Sequence, residues 1–126
     1  MVAVRTVDLP FLGIRAGYAL DEKTFDPSKP TCVLINSMCM TSALFRPQFE
    51  DEALAKVMNL VAIEPLGHGA TTCASQQFTY WDSARMALLV LDHLKIDKFF
   101  ALGTSQGGWM VTRLALLAPN KVRCFT

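Results

Sequence analysis

Apolar residues fall into two patterns along this chain. Unbroken runs occur at residues 32–35 (CVLI), 60–63 (LVAI) and 99–102 (FFAL). Runs without alternation are what strands covered on both faces look like. Between and after them lie longer stretches with helical spacing. Residues 47–58 begin with Pro47, which a first helical turn tolerates, and place Phe49, Ala53, Leu54 and Val57 on one face. Residues 79–94 open with Thr79-x-x-Asp82, a capping-box pattern, and continue with an apolar stripe through Ala84, Leu88 and Leu91. Residues 105–117 form a third helix, stopped by Pro119.

Ahead of these, residues 4–7 and 14–20 are weaker strand candidates, joined through residues 8–10 and Gly13 as an antiparallel hairpin. Residues 21–31 are polar, contain two prolines and read as a loop. Residues 122–125 begin a further strand. Strand and helix alternating at this spacing predict βαβ units and a mostly parallel sheet with helices on both faces, an α/β fold. There is no internal repeat, low-complexity segment or linker, so residues 1–126 are expected to belong to one domain.

Composition narrows the functional classes. Of 126 residues, 52% are apolar and 18% charged, which excludes a disordered segment and is enough for a core. Lys and Arg number 12 against 11 Asp and Glu, a net charge of +1. That balance gives no electrostatic case for nucleic acid or an anionic membrane surface as a partner. Cys32, Cys39, Cys73 and Cys124 form no CxxC pair, and two lie in predicted buried strands. Reduced thiols are expected, rather than disulfides or a zinc site. No secretory signal or membrane span is visible, so the expectation is a soluble protein that is not secreted.

The sharpest chemical signal is Leu102-Gly103-Thr104-Ser105-Gln106-Gly107-Gly108. It contains G-x-S-x-G, follows an apolar strand and opens an amphipathic helix, the setting a nucleophile elbow requires. Gly103 and Gly107 would let strand and helix approach closely. The helix N-terminus beside Ser105 favours developing negative charge, and the Gln106 N–H would be one oxyanion donor. The blander reading of the same residues is an N-cap serine with packing glycines; the strand-to-helix context favours the elbow.

With these residues in place, the chain resembles the alpha/beta-hydrolase superfamily over nearly its whole length. In that family the strand before the elbow is the fifth, preceded by a hairpin and two βα units. After the third strand a His-Gly pair usually leads to the second oxyanion donor. Here the matching residues are Asn36-Ser37-Met38, so by position the Met38 N–H is that donor, and Ser37 stands where a glycine free to take positive φ is usual. After the fourth strand the family pattern Asp-x-x-Gly-x-Gly-x-Ser becomes Glu64-Pro65-Leu66-Gly67-His68-Gly69-Ala70-Thr71. The resemblance places His68 in a structural loop rather than in catalysis. His93 is expected to be solvated or capping. Trp81 and Trp109 are assigned to the core, with Trp109 close enough to the elbow to border a substrate pocket.

The resemblance implies a serine hydrolase acting on a small-molecule ester or thioester, with Ser105 as nucleophile and Gln106 and Met38 as oxyanion donors. No metal or organic cofactor is implied, because this hydrolysis needs only water. A serine at the elbow argues against the haloalkane-dehalogenase and epoxide-hydrolase branches, which use aspartate there. The family order is Ser, then Asp or Glu, then His. Residues 106–126 contain no Asp, Glu or His. The expectation is therefore an amino-terminal part of the fold, truncated after about the sixth strand. The alternative is a catalytically inactive paralogue or interaction module. A narrower resemblance, over residues 36–109, is to hydrolases of fungal secondary-metabolite clusters, including those of host-selective toxins. It would imply a fatty-acid-like or polyketide-like intermediate and a cytoplasmic or peroxisomal setting, although the chain ends Cys-Phe-Thr rather than Ser-Lys-Leu. The sequence carries no signal for an oligomeric state.

Overall fold

A computed structural model describes residues 2–126. Strands β1 (Val4–Asp8) and β2 (Arg15–Leu20) form the expected antiparallel hairpin, with Val4 opposite Ala19 and Asp8 opposite Arg15. Four more strands follow: β3 (Thr31–Ile35), β4 (Asn59–Ile63), β5 (Phe99–Gly103) and β6 (Val122–Phe125). The sheet order is β1-β2-β4-β3-β5-β6. β2 meets β4 antiparallel, and β4, β3, β5 and β6 run parallel. The long hydrophobic runs thus occupy the middle of the sheet, where both faces need covering.

Side-chain alternation divides the core between those faces. Val33, Ile35, Val61, Ile63, Phe99 and Ala101 join Met86, Val90, Leu91, Val111 and Leu114 in the larger cluster. That face is covered by α3 (Tyr80–His93) and α4 (Gln106–Leu117). Leu34, Leu60, Ala62 and Ala19 pack with Phe45 on the other face. There the cover is lighter: a 3-10 turn at Ser42–Phe45 and two short helices, α1 (Arg46–Phe49) and α2 (Glu52–Val57).

Those two short helices correct the single helix expected over 47–58. The Glu50 N–H closes α1 on the Arg46 carbonyl, and the Asp51 carboxylate then accepts from the N–H groups of Ala53 and Leu54, 2.9 and 3.0 Å away. An aspartate that caps a new helix competes with continuation of the old one. The expected apolar face divides with it. Phe49 and Leu54 pack against the core, while Ala53 and Val57 face solvent.

The α3 start matches expectation: the Asp82 carboxylate accepts from both the N–H and the hydroxyl of Thr79, at 2.7 and 2.9 Å. Within its stripe Ala84 and Leu91 are fully buried and Leu88 partly so. The tryptophans are not core. Trp81 is exposed on the outer side of α3, and the Arg113 guanidinium of α4 lies over its ring, 5.1 Å from the ring centre. Trp109 is 62% exposed on the outer side of α4.

All four cysteines are free. Cys32 on β3 is partly buried, but Cys124 on β6 is exposed, contrary to its expected place in a covered strand. Burial pushes the Cys32 thiol up to about 11. The thiolate is the reactive form, so Cys32 stays protonated and inert through neutral pH. Alkylation by iodoacetamide at pH 8, followed by peptide mapping, should therefore modify Cys39 and Cys124 first and Cys32 only after unfolding. Early modification of Cys32 would contradict this packing.

Candidate active site

β5 ends at Gly103 and α4 begins at Gln106, so the chain reverses within Thr104 and Ser105. Ser105 takes φ +54° and ψ −116°, a conformation that side chains rarely adopt. The neighbouring glycines show why the surroundings impose it. A Cβ on Gly103 would lie 2.2 Å from the Gly107 carbonyl, and a Cβ on Gly107 would lie 2.2 Å from the Ile35 carbonyl oxygen. The first turn of α4 is pressed onto the carboxyl ends of β5 and β3. The Thr104 N–H also donates to Ile35 O at 3.0 Å. Ser105 itself is exposed at the top of the sheet.

Two backbone donors lie in the adjoining loops. Neither the Met38 N–H nor the Gln106 N–H donates to a protein acceptor among the described residues. Met38 sits in the loop leaving β3, which Asn36 shapes from within: its Nδ2 donates to the carbonyls of Ser37 and Met40 at 3.1 and 2.8 Å. Ser37 does not need glycine's freedom, because the positive φ of this loop falls on Cys39, at +60°.

His68 lies beneath this region and its ring is fully engaged. Nδ1 faces the Leu66 carbonyl at 3.0 Å, so it carries the proton. Nε2 then accepts from the Cys39 N–H at 3.3 Å and from the Gln106 side-chain amide at 3.0 Å. The Tyr80 hydroxyl reaches the same amide's oxygen at 3.4 Å. With its lone pair occupied, His68 ties the β3 loop to the start of α4. Sequence reasoning placed it in a structural loop but did not anticipate its bond to Gln106.

Glu64 was matched to the family pattern in the sequence, but no structural role was assigned to it there. It follows β4, is 1% exposed, and has no cation beside it among the described residues. Its Oε1 accepts from the N–H and hydroxyl of Ser42, both at 2.9 Å, and its Oε2 from the Ala70 N–H at 2.7 Å. The carboxyl group fills a slot between two glycines. A Cβ on Gly69 would lie 2.1 Å from Oε2, and one on Gly17 2.8 Å. Thr71 completes the joint: its hydroxyl donates to Glu64 O at 2.6 Å and accepts the Gly17 N–H at 2.8 Å. A lone glycine inside strand β2 was the available signal for this close approach.

Among the described residues no group of three or more His, Cys, Asp or Glu is arranged to hold a metal ion, and no helix is long and apolar enough to cross a membrane.

Residues 30–126 match the family model described as alpha/beta hydrolase fold. Among curated proteins, the chain is 30% identical over 108 residues to the 2-heptyl-3-hydroxy-4-quinolone dioxygenase of Rhodococcus erythropolis, covering 82% of this chain and 37% of that protein. Among solved structures, a hydrolase from Pseudomonas aeruginosa superposes with a TM-score of 0.84 at 26% identity, over 97% of this chain and 44% of its own. A carboxylesterase structure from Nitrososphaera gargenis gives 0.85 at 22% identity, over 96% and 43%. The chain thus spans less than half the length of each.

Two substitution tests follow from the glycine and Glu64 contacts. Gly107→Ala should destabilise by about 3 kcal/mol or more, because the added methyl meets backbone that cannot yield. Gly108→Ala should be neutral or stabilising by up to ~1 kcal/mol, since its Cβ meets only Gly103 O, at 3.7 Å, and alanine suits a helix. Equal effects in thermal denaturation would contradict the close approach. Glu64→Gln should cost about 1–3 kcal/mol, because an amide group would face a donor and leave it unpaired. A denaturation midpoint unchanged from wild type would refute that accounting.

Proposed function

Because this chain belongs to the alpha/beta hydrolase fold family, we propose that it supplies the nucleophile and oxyanion hole of a serine hydrolase acting on a small-molecule ester or thioester. The observation that carries this reading is the strained backbone of Ser105 between two glycines that only a close strand–helix contact requires. A hydroxyl held at the tip of such a turn is open to a carbonyl carbon. Attack by Ser105 Oγ would place the new oxyanion near the unpaired N–H groups of Gln106 and Met38, which stabilise it where the charge develops. The leaving alcohol or thiol departs, and water then releases the acyl group from Ser105.

The proton of the Ser105 hydroxyl needs a base. Residues 106–126 contain no Asp, Glu or His. His68 is turned toward Gln106 and Cys39, with its acceptor nitrogen already used. The acid and base are therefore not assigned to His68 or to residues 106–126. The similar carboxylesterase of Nitrososphaera gargenis agrees with ester chemistry on this scaffold. The resemblance of residues 36–109 to fungal secondary-metabolite hydrolases would imply a fatty-acid-like or polyketide-like acyl group as substrate, in a toxin-forming pathway and a cytoplasmic or peroxisomal setting.

Intact-mass labelling with a fluorophosphonate tests the central assignment. Wild type should gain one adduct at Ser105, slowly if only the oxyanion hole assists, and Ser105→Ala should gain none. A folded wild type that stays unlabelled would overturn nucleophilic catalysis by Ser105 in this chain and leave the interaction-module reading.

A further inference from the structure

At the opposite end of the sheet from Ser105, a cleft of about 620 Å³ opens between the loop before β3, the end of α3 and the edge strand β6. Its volume lies within the ~300–1,000 Å³ of small-molecule sites. Phe25 and Phe100 supply apolar walls, and Lys29, Lys95, Lys98 and Arg123 line it with positive charge. The one acid on the lining, Asp97, lies 3.7 Å from Lys121 Nζ. Lys29 and Lys98 donate to the carbonyls of Ala55 and Asn120, which do not cancel their charge. Neither the Lys95 ammonium nor the Arg123 guanidinium has a hydrogen-bond or ion-pair partner among the described residues.

Two features show a built wall rather than a gap between mobile parts. The loop carrying Phe25 is fastened by buried Asn59, whose Oδ1 accepts from the Asp26 N–H at 3.0 Å and whose Nδ2 donates to Asp26 O at 2.8 Å. The second feature is Lys95. It follows the last turn of α3 with φ +58°, its N–H donates to Asp92 O, and the Ile96 N–H donates to Leu91 O. This is the helix ending in which glycine is the ordinary residue. A lysine there accepts backbone strain and places a cation at the mouth of the cleft.

We propose that this cleft binds a small organic anion, a phosphate or carboxylate carried on a flat apolar body. The anion would pair with Lys95 and Arg123, and the apolar body would lie between Phe25 and Phe100. At about 3.3 Å per strand residue, the cleft is on the order of 15 Å from Ser105, so its occupant is not the molecule attacked at the elbow.

The test uses 1-naphthyl phosphate as probe, with 1-naphthol and inorganic phosphate as controls, followed by calorimetry and amide NMR. Wild type and Ser105→Ala should bind the probe equally, with shifts at Phe100, Lys95 and Arg123. Both controls should bind at least tenfold more weakly. Lys95→Gly should lose at least tenfold in affinity while its melting temperature holds or rises, since glycine suits the positive φ. Arg123→Gln should lose a similar factor. No binding to wild type, or unchanged affinity in both variants, would overturn the proposal. Inorganic phosphate binding as tightly as the probe would overturn the apolar part of the site. Because Ser105→Ala is expected to bind normally, these outcomes are separate from failure of the hydrolase assignment.

Discussion

At Gly107 the first turn of α4 comes so near the end of β3 that a methyl group would sit 2.2 Å from a backbone carbonyl oxygen. No side chain mediates this contact. It fixes where α4 starts relative to the sheet, and that start leaves Ser105 no ordinary backbone conformation. The same approach sets the one N–H at the start of α4 left unpaired among the described residues, that of Gln106, beside Ser105, where a helix N-terminus favours negative charge. Serine exposure, strain and donor placement are thus consequences of one packing distance.

A second fixed point supports the loop that faces this turn. Glu64 holds Ser42 at one end of that loop, while Asn36 organises its start and His68 reaches Cys39 in its middle. The Met38 N–H is therefore carried on a segment anchored on both sides. Burying a carboxyl group without a cation is costly unless its oxygens are satisfied, and here three donors offset that cost. The two glycines flanking it are the steric condition for that arrangement.

The central strands and the elbow were legible in the sequence because they follow strong local rules. Unbroken apolar runs mark covered strands, and a G-x-S-x-G between strand and helix leaves few alternatives. The helix expected over 47–58 was not legible, because Asp51 acts as a cap only when the backbone is free to restart there. Trp81 was misplaced for a different reason. Apolar spacing cannot distinguish a ring packed in the core from one lying against a guanidinium on the neighbouring helix. The Glu64 slot joins β2, β4 and two loops, and no local pattern encodes such a joint beyond an unexplained glycine at 17.

The register of the parallel sheet also ties the turn at Ser105 to distant parts of the chain. Cys32 lies opposite both Leu60 and Phe100, so β3 completes its pairing only after two long loops have closed. A backbone as strained as that of Ser105 persists only while its surroundings hold it. Those surroundings include the Ile35 carbonyl, delivered by the strand with the most distant partners. The turn at Ser105 consequently depends on the three central strands being assembled, and whatever loosens β3 also removes the support for that strained backbone.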